Sequence, residues 1–325
     1  MNFEQQYHSY KALVDQYLVD SIQVTEPRSL YKPLNYVLAG GGKRIRPILV
    51  LLASEAVGGK AAEAVHAGVG IEILHNFTLV HDDIMDNANS RRGRATVHTK
   101  WDDNVAILVG DELLALAYRI LLRTDSPRIR DIAGVFTEGV VEVCEGQAYD
   151  KEFEVRSAVS VDEYLLMIRK KTGKMVAVAT EIGAIIGNGS SAEITALRKY
   201  GELVGRAFQV QDDLLDVVGD EKQFGKMIGG DLREGKKTFL LLEALKKARG
   251  KDKLLLKRLV KNGGASKKMI GEFKRIFQKT GAIEAAGARI RSDIDEAKQQ
   301  LGSLKPSPAR DMLFWFTDML LHRTY

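Results

Sequence analysis

Apolar residues along this chain recur at spacings of three and four. Val105, Leu108, Val109, Leu113, Leu116 and Ile120, with Glu112 among them, form one such run, and Leu254, Leu255, Leu259 and Ile270 a second, the pattern of one face of an α-helix. Proline stands only at 27, 33, 47, 127, 306 and 308, so no missing amide hydrogen interrupts a helix between 128 and 305. The breaks fall instead at clusters of glycine and small polar residues: Gly40–Gly42, Asn87–Gly93, Thr124–Pro127, Gly187–Ser190, Gly219–Gly235, Asn262–Gly264 and Ser303–Pro308. No run of alternating apolar and polar residues reads as a strand. The pattern predicts an all-α helical bundle in which residues 1–325 form a single domain.

Two apolar stretches end in the same acidic signature. Leu74, Phe77, Leu79 and Val80 lead into His81-Asp82-Asp83-Ile84-Met85-Asp86, and Leu203, Val204, Phe208 and Val210 lead into Gln211-Asp212-Asp213-Leu214-Leu215-Asp216. At about 3.6 residues per turn, Asp82 and Asp86 share a helix face, as do Asp212 and Asp216. Like charges one turn apart cost a helix a few tenths of a kcal/mol, which a bound cation would offset. Oxygen ligands without thiolates or paired histidines suit Mg²⁺ better than Zn²⁺, and Mg²⁺ takes part of its shell from substrate phosphates. The expectation is two helices facing each other across a deep central cavity, with carboxylates on both.

Cations are interleaved with these acids. Gly40-Gly41-Gly42-Lys43-Arg44-Ile45-Arg46-Pro47 is a glycine-rich basic turn with proline in the first turn of the next helix; its spacing is not that of a P-loop. Asn89-Ser90-Arg91-Arg92-Gly93-Arg94 follows the first acidic motif, and Lys170-Lys171-Thr172, Lys226 and Lys236-Lys237-Thr238 flank the second. Each group alone is an ordinary surface charge. Together, acids for a metal and planar guanidinium groups for phosphate describe a diphosphate pocket. Glu63-x-x-His66 and Glu72-x-x-His75 lie nine residues apart on one helix, on opposite faces, and so fail the pattern of a di-iron bundle. His75, seven residues before Asp82, lies on nearly its face.

The remaining chemistry mostly excludes. A net charge of +5 from 48 basic and 43 acidic residues gives no argument for nucleic acid. The single cysteine, Cys144, allows no internal disulfide, fits a reducing cytoplasm and is expected in the core. Residues 2–8 lack the features of a secretory leader. The most apolar stretch, Val105–Leu122, carries Asp111, Glu112 and Arg119 and makes a poor membrane span.

Gly-Gly-Lys-Arg-Ile-Arg-Pro at 41–47, Leu-Val-His-Asp-Asp-Ile-Met-Asp at 79–86, Arg91-Arg92-Gly93, Gly146-Gln147, Lys171-Thr172, Phe208-Gln209-Val210-Gln211-Asp212-Asp213 and Gly225-Lys226 resemble, in order and spacing, the motifs of the trans-prenyl diphosphate synthases, or polyprenyl synthetases. The likeness covers about residues 30 to 240. It implies an isoprenoid synthase-type bundle, usually homodimeric, in which an allylic diphosphate ionises, the cation alkylates isopentenyl diphosphate and a proton is lost. By the same likeness Asp82, Asp86 and Asp212, supported by Asp83, Asp213 and Asp216, hold Mg²⁺, three ions per active site. Arg91, Lys171, Lys226 and Lys236 contact the allylic diphosphate. Lys43, Arg46, His75 and Arg92 hold isopentenyl diphosphate, and Thr172 and Gln209 lie beside the developing cation.

Two further readings stay beside this one. A terpene cyclase would share the fold and first motif, but usually carries a mixed Asn/Ser/Glu second motif and has no use for a second diphosphate subsite. A catalytically silent regulatory subunit would not need both acidic motifs. Phe77 and Thr78, just before Asp82, are the candidates for setting product length: Thr78 is small and shares the face of Asp82, while Phe77 lies about 140° away and flanks it. A lone aromatic there resembles short-chain synthases making geranylgeranyl diphosphate, whereas aromatics at both positions resemble farnesyl diphosphate synthases.

Overall fold

A computed structural model describes residues 2–219 and 228–321 of the chain. In order, the helices are α1 (Phe3–Asp20), α2 (Arg28–Leu38), α3 (Ile45–Ala56), α4 (Ala61–Met85), α5 (Val97–Lys100), α6 (Asp103–Leu121), α7 (Ile129–Val155), α8 (Val161–Ile168), α9 (Lys174–Ile186) and α10 (Ser191–Val218). After them come α11 (Gly230–Arg233), α12 (Phe239–Lys247), α13 (Gly250–Asn262), α14 (Ile270–Lys279), α15 (Ala282–Gly302) and α16 (Pro308–Leu321). The chain is all-α, as the spacing predicts. Among the described residues the exception is a hairpin of β1 (Ser90–Arg91) and β2 (Arg94–Ala95), paired antiparallel. A π-helical turn, Arg169–Gly173, joins α8 to α9.

The helix ends follow local chemistry. Asn2 and Asp102 cap α1 and α6 by accepting from Gln5 N at 3.1 Å and Val105 N at 2.8 Å. Ser160-x-x-Glu163 closes a reciprocal capping box at α8, and Ser190-x-x-Glu193 makes the same pair of bonds ahead of α10. Gly263, at φ 65°, ends α13 in the left-handed conformation. This break, at the glycine cluster the sequence shows at 262–264, separates Leu254–Leu259 from Ile270, which opens α14.

The chain gathers into two compact units. The first comprises Met1–Thr137, Val178–Leu197 and Leu304–Leu313, and the second Glu138–Ala177, Arg198–Ser303 and Phe314–Tyr325. In the first, α4 packs along α3 and α6. It is apolar nearly all round and buried for most of its length, as expected of a helix inside a core. In the second, Leu240, Leu241, Leu256, Phe273, Ile276 and Phe277 pack in a single core with Ala282 and Ala286 of α15. At roughly 1.5–3 kcal/mol for each fully buried large side chain, such clusters fix where the polar residues at the helix ends stand. In α16, Met312, Leu313 and Phe316 are buried, while Phe314 and Trp315 are half-buried.

Three expectations are corrected, two from periodicity and one from the lone cysteine. Leu108 and Leu254 are 59% and 60% exposed: on α6 the buried face runs through Ala106, Val109, Leu113 and Ala117, about 100° round from Leu108. Cys144 is exposed rather than in the core, because Val143, Gly146 and Gln147 are the positions of α7 that turn inward there.

Candidate active site

In the first unit the C-terminus of α4 presents the first acidic turn. Asp82 is half-buried, and Asp86 is the exposed C-cap. Asp83, between them, is buried and accepts a hydrogen bond from Arg91 Nε at 2.7 Å. Burial pushes its carboxyl above the usual range, against the pull of the Arg91 guanidinium. The basic segment that supplies Arg91 is a two-residue hairpin: Arg91 pairs with Arg94, and Arg92 and Gly93 between them have φ of 53° and 71°. Positive φ at both central residues gives the tight turn whose twist matches its strands.

That hairpin is tied to the glycine-rich turn. Arg92 Nη1 donates to the Gly41 carbonyl. Arg44 closes the same turn from inside: it is left-handed at φ 52°, 6% exposed, and donates to Asp15 at 2.7 Å, Glu72 at 2.7 Å and the Gly41 carbonyl at 3.2 Å. Lys43 is thereby left exposed and Arg46 half-buried on either side of a fixed point. His75, on α4, is held well below the ordinary imidazole value by burial and by Arg46, Arg92, Arg91 and Arg44. Its neutral ring stands in a field made by four guanidinium groups. Phe77 is buried with its ring edge-on to His81, 4.8 Å between centroids, and His81 in turn lies so close to Gly110 of α6 that a Cβ there would fall 2.0 Å from the ring. The Thr78 hydroxyl donates back to the His75 carbonyl at 2.8 Å.

In the second unit the acidic turn ends α10. Asp212 and Asp216 are half-buried, while Asp213 is buried. Asp213 accepts from the Tyr164 hydroxyl and from Gln209 Nε2 at 3.1 Å, and burial, then Asp231, push it up to about 8. Asp216 accepts from the backbone N–H groups of Gly230 and Asp231, each at 3.1 Å, which orients it. The π-turn carries Lys171 and Thr172. Lys171 Nζ lies 2.6 Å from Asp150, and the Thr172 hydroxyl donates to Gln209 Oε1 at 3.0 Å. These residues, with Tyr164, Asp213 and Lys236, line a recess of about 130 Å³. Lys236 Nζ is 2.8 Å from Glu234 and 3.9 Å from Asp231. Lys226 lies outside the described residues.

Each acidic turn therefore sets two less buried aspartates, Asp82 and Asp86 in one and Asp212 and Asp216 in the other, on either side of a buried middle aspartate held by side-chain hydrogen bonds, with Asp216 itself held by two backbone N–H groups. Among the described residues no three His, Cys, Asp or Glu side chains converge to hold a metal on their own. The oxygen donors of each turn, taken by itself, fit Mg²⁺, which keeps waters and substrate phosphates in its shell, and do not fit a structural zinc.

Residues 27–279 match the family model described as polyprenyl synthetase. The chain belongs to that family. It is 41% identical over 317 residues, 97% of both chains, to a protein of Methanothermobacter thermautotrophicus named as a short chain isoprenyl diphosphate synthase. Over 314 residues it is 37% identical to the geranylgeranyl diphosphate synthase of Methanosarcina mazei, covering 96% of this chain and 95% of that one. Among solved structures, the geranylgeranyl pyrophosphate synthetase from Pyrococcus horikoshii superimposes with a TM-score of 0.94 at 38% identity, over 99% of this chain and 100% of that chain. The polyprenyl synthetase fold here also uses residues that spacing does not disclose. Asp15 and Glu72 pin Arg44, Tyr164 and Gln209 hold Asp213, and Asp150 pairs with Lys171. Asp231 faces Asp216 and is pushed up to about 7 by burial and by that neighbour. The sequence signal for Asp231 was slight: it directly follows Gly229-Gly230 within the long breaker segment after the second motif.

Proposed function

We propose that this polyprenyl synthetase is a chain-elongating trans-prenyltransferase that condenses isopentenyl diphosphate with an allylic diphosphate to give all-trans geranylgeranyl diphosphate. The observation that carries the reading is an acidic helix turn beside its own set of cations in each unit, in a chain whose near full-length relatives are named as short-chain isoprenyl and geranylgeranyl diphosphate synthases. Breaking a carbon–oxygen bond to diphosphate develops negative charge on the leaving group, and fixed cations stabilise it more than they stabilise the ground state. Asp82, Asp86 and Asp212, supported by Asp83, Asp213 and Asp216, would hold Mg²⁺, three ions per site, and when bound these supply further positive charge to the departing diphosphate.

The chain's own groups divide the remaining work. Arg91, Lys171, Lys226 and Lys236 hold the allylic diphosphate, while Lys43, Arg46, His75 and Arg92 hold isopentenyl diphosphate. His75, neutral among arginines, can donate one hydrogen bond to a phosphate oxygen without adding to their mutual repulsion. With its hydrogen given to Gln209, the Thr172 hydroxyl keeps its lone pairs for the cation formed on ionisation. Apolar walls keep that cation from water, and the released diphosphate takes the proton lost from the product. Phe77, buried against His81, closes the path of the growing chain, and Thr78 leaves it open up to that point, which favours twenty carbons over fifteen. The reading also carries a homodimer and a cytoplasmic setting; no described helix is long and apolar enough to cross a membrane.

The test is mass spectrometry of the products made by the purified chain from isopentenyl diphosphate and each allylic starter with Mg²⁺. Accumulation of the twenty-carbon diphosphate is expected. Arrest at fifteen carbons would make it a farnesyl diphosphate synthase. Cyclised hydrocarbon formed without consumption of isopentenyl diphosphate would make it a cyclase, and no turnover would leave a regulatory subunit.

A further inference from the structure

Charge in the second unit is concentrated far beyond the chain average. Between Lys246 and Lys279 stand thirteen lysines and arginines against two acids, Asp252 and Glu272, a net +11 that leaves the rest of the chain at −6 against an overall +5. Asp252 is committed to Lys279 at 2.6 Å and Arg275 at 3.2 Å. α13 sorts the cations geometrically. Leu256 and Leu259 face the core, whereas Lys251, Leu254, Arg258 and Lys261, at spacings of three and four, form one exposed stripe with Lys257 beside it. Leu254, 60% exposed, is thus a large apolar side chain set among cations.

Next to this stripe lies a groove of about 930 Å³. Lys253, Lys257 and Val260 of α13 line one wall, again one helix face, with Leu165, Leu242 and Leu245 among the apolar residues opposite. Lys246, Lys253 and Lys257 make no ion pair among the described residues. An apolar trough with ammonium groups at its rim, adjoining a basic stripe with a protruding leucine, is complementary to an amphiphile with an anionic head. Nucleic acid fits less well, because strand binding uses exposed aromatic platforms and the two aromatics of the segment, Phe273 and Phe277, are fully buried.

We propose that this face docks the protein on an anionic phospholipid bilayer. α13 lies against the headgroups, Leu254 enters the acyl boundary, and the groove seats the hydrocarbon tail of a lipid whose phosphate is met by Lys253 and Lys257. The inference stands independently of the proposed activity. Sedimentation of the full chain with phosphatidylcholine vesicles containing phosphatidylglycerol, and with phosphatidylcholine alone, tests it. Binding is expected to the first only and to fall as salt is raised. Basic residues near such a surface contribute about five-fold each, so K251Q/R258Q/K261Q should weaken partition by about 10²-fold, and Leu254→Gln by about ten-fold. Both variants should keep the circular dichroism spectrum and unfolding temperature of the wild type, which reports an intact fold. Equal partition onto neutral vesicles, wild-type partition by the triple variant, or tighter binding to duplex DNA than to anionic vesicles at the same salt would overturn the proposal.

Discussion

Replacing Arg44 with glutamine should cost this protein both stability and the placement of its glycine-rich turn. The guanidinium is the partner of Glu72, whose own exposure is 3%, and removing it leaves a buried carboxylate without its counter-charge, a loss of about 3–5 kcal/mol. Asp15 contributes less. It is about one-third exposed and keeps Lys11 at 2.7 Å, so the Asp15 contact adds no more than about 1 kcal/mol. The double variant R44Q/E72Q removes both charges and should recover most of the loss, to within about 2 kcal/mol of wild type, giving a large coupling energy in a double-mutant cycle. Guanidinium and thermal unfolding followed by circular dichroism provide the measurement. Because Arg44 stands between Lys43 and Arg46 and bonds the Gly41 carbonyl that Arg92 also uses, the single variant should further raise KM for isopentenyl diphosphate by at least about ten-fold, the scale of a displacement approaching 1 Å. A single-variant loss below about 1 kcal/mol, or a double variant as unstable as the sum of the singles, would refute the reasoning.

Four other outcomes follow from the site. Asp82→Ala and Asp212→Ala should each lower turnover by at least about 10²-fold while leaving the circular dichroism spectrum intact; near-normal turnover in either would break the joint role of the two acidic turns. Arg46→Ala should raise KM chiefly for isopentenyl diphosphate and Lys171→Ala chiefly for the allylic substrate, and equal effects on both would merge the two phosphate pockets. Phe77→Ala should lengthen the product and Thr78→Phe shorten it toward fifteen carbons, so an unchanged product distribution in both would put the end of the channel elsewhere. His75 has its folded value depressed below its unfolded one, so the unfolded state binds more protons as pH falls through the ordinary histidine range. His75 therefore lowers stability on the acid side, and His75→Gln should flatten that slope. In the free enzyme its imidazole should titrate by NMR below about 6.5 and move upward when a diphosphate is added, and titration at or above the ordinary value without ligand would exclude the arginine field.

Much of the helical layout was legible because breakers are local. Gly187–Ser190, Asn262–Gly264 and Ser303–Pro308 each fall between helices. What periodicity could not rank was neighbouring positions on an apolar helix. Leu108 and Cys144 sit one residue from inward-facing ones, and only packing partners distant in sequence decide which side is covered. The acidic motifs show the same limit. That Asp83 and Asp213 turn away from their flanking aspartates depends on Arg91 in a hairpin and Tyr164 in α8, neither of which the spacing names. Arg44 reads as one more cation of a basic turn, because the carboxylates that neutralise it stand far off in sequence, on α1 and α4.

The π-turn at Arg169–Gly173 has a further implication for how this chain tolerates insertions and deletions. Its hydrogen bonds reach one residue further than those of an α-helix, so the turn holds one residue more than the helix path needs. Gly146 of α7 fits against it so closely that a Cβ would stand 2.3 Å from Lys171 N and 2.7 Å from its Cα. Deleting a single residue before Lys171 would let α8 run into α9 as ordinary helix with its apolar faces still inward. Everything from the deletion to the end of the turn would then swing by about 100°, carrying Lys171 off Asp150 and Thr172 off Gln209. A chain one residue shorter here is expected to fold with Lys171 and Thr172 displaced, so the length of this turn, and not side-chain identity alone, sets where those two residues stand.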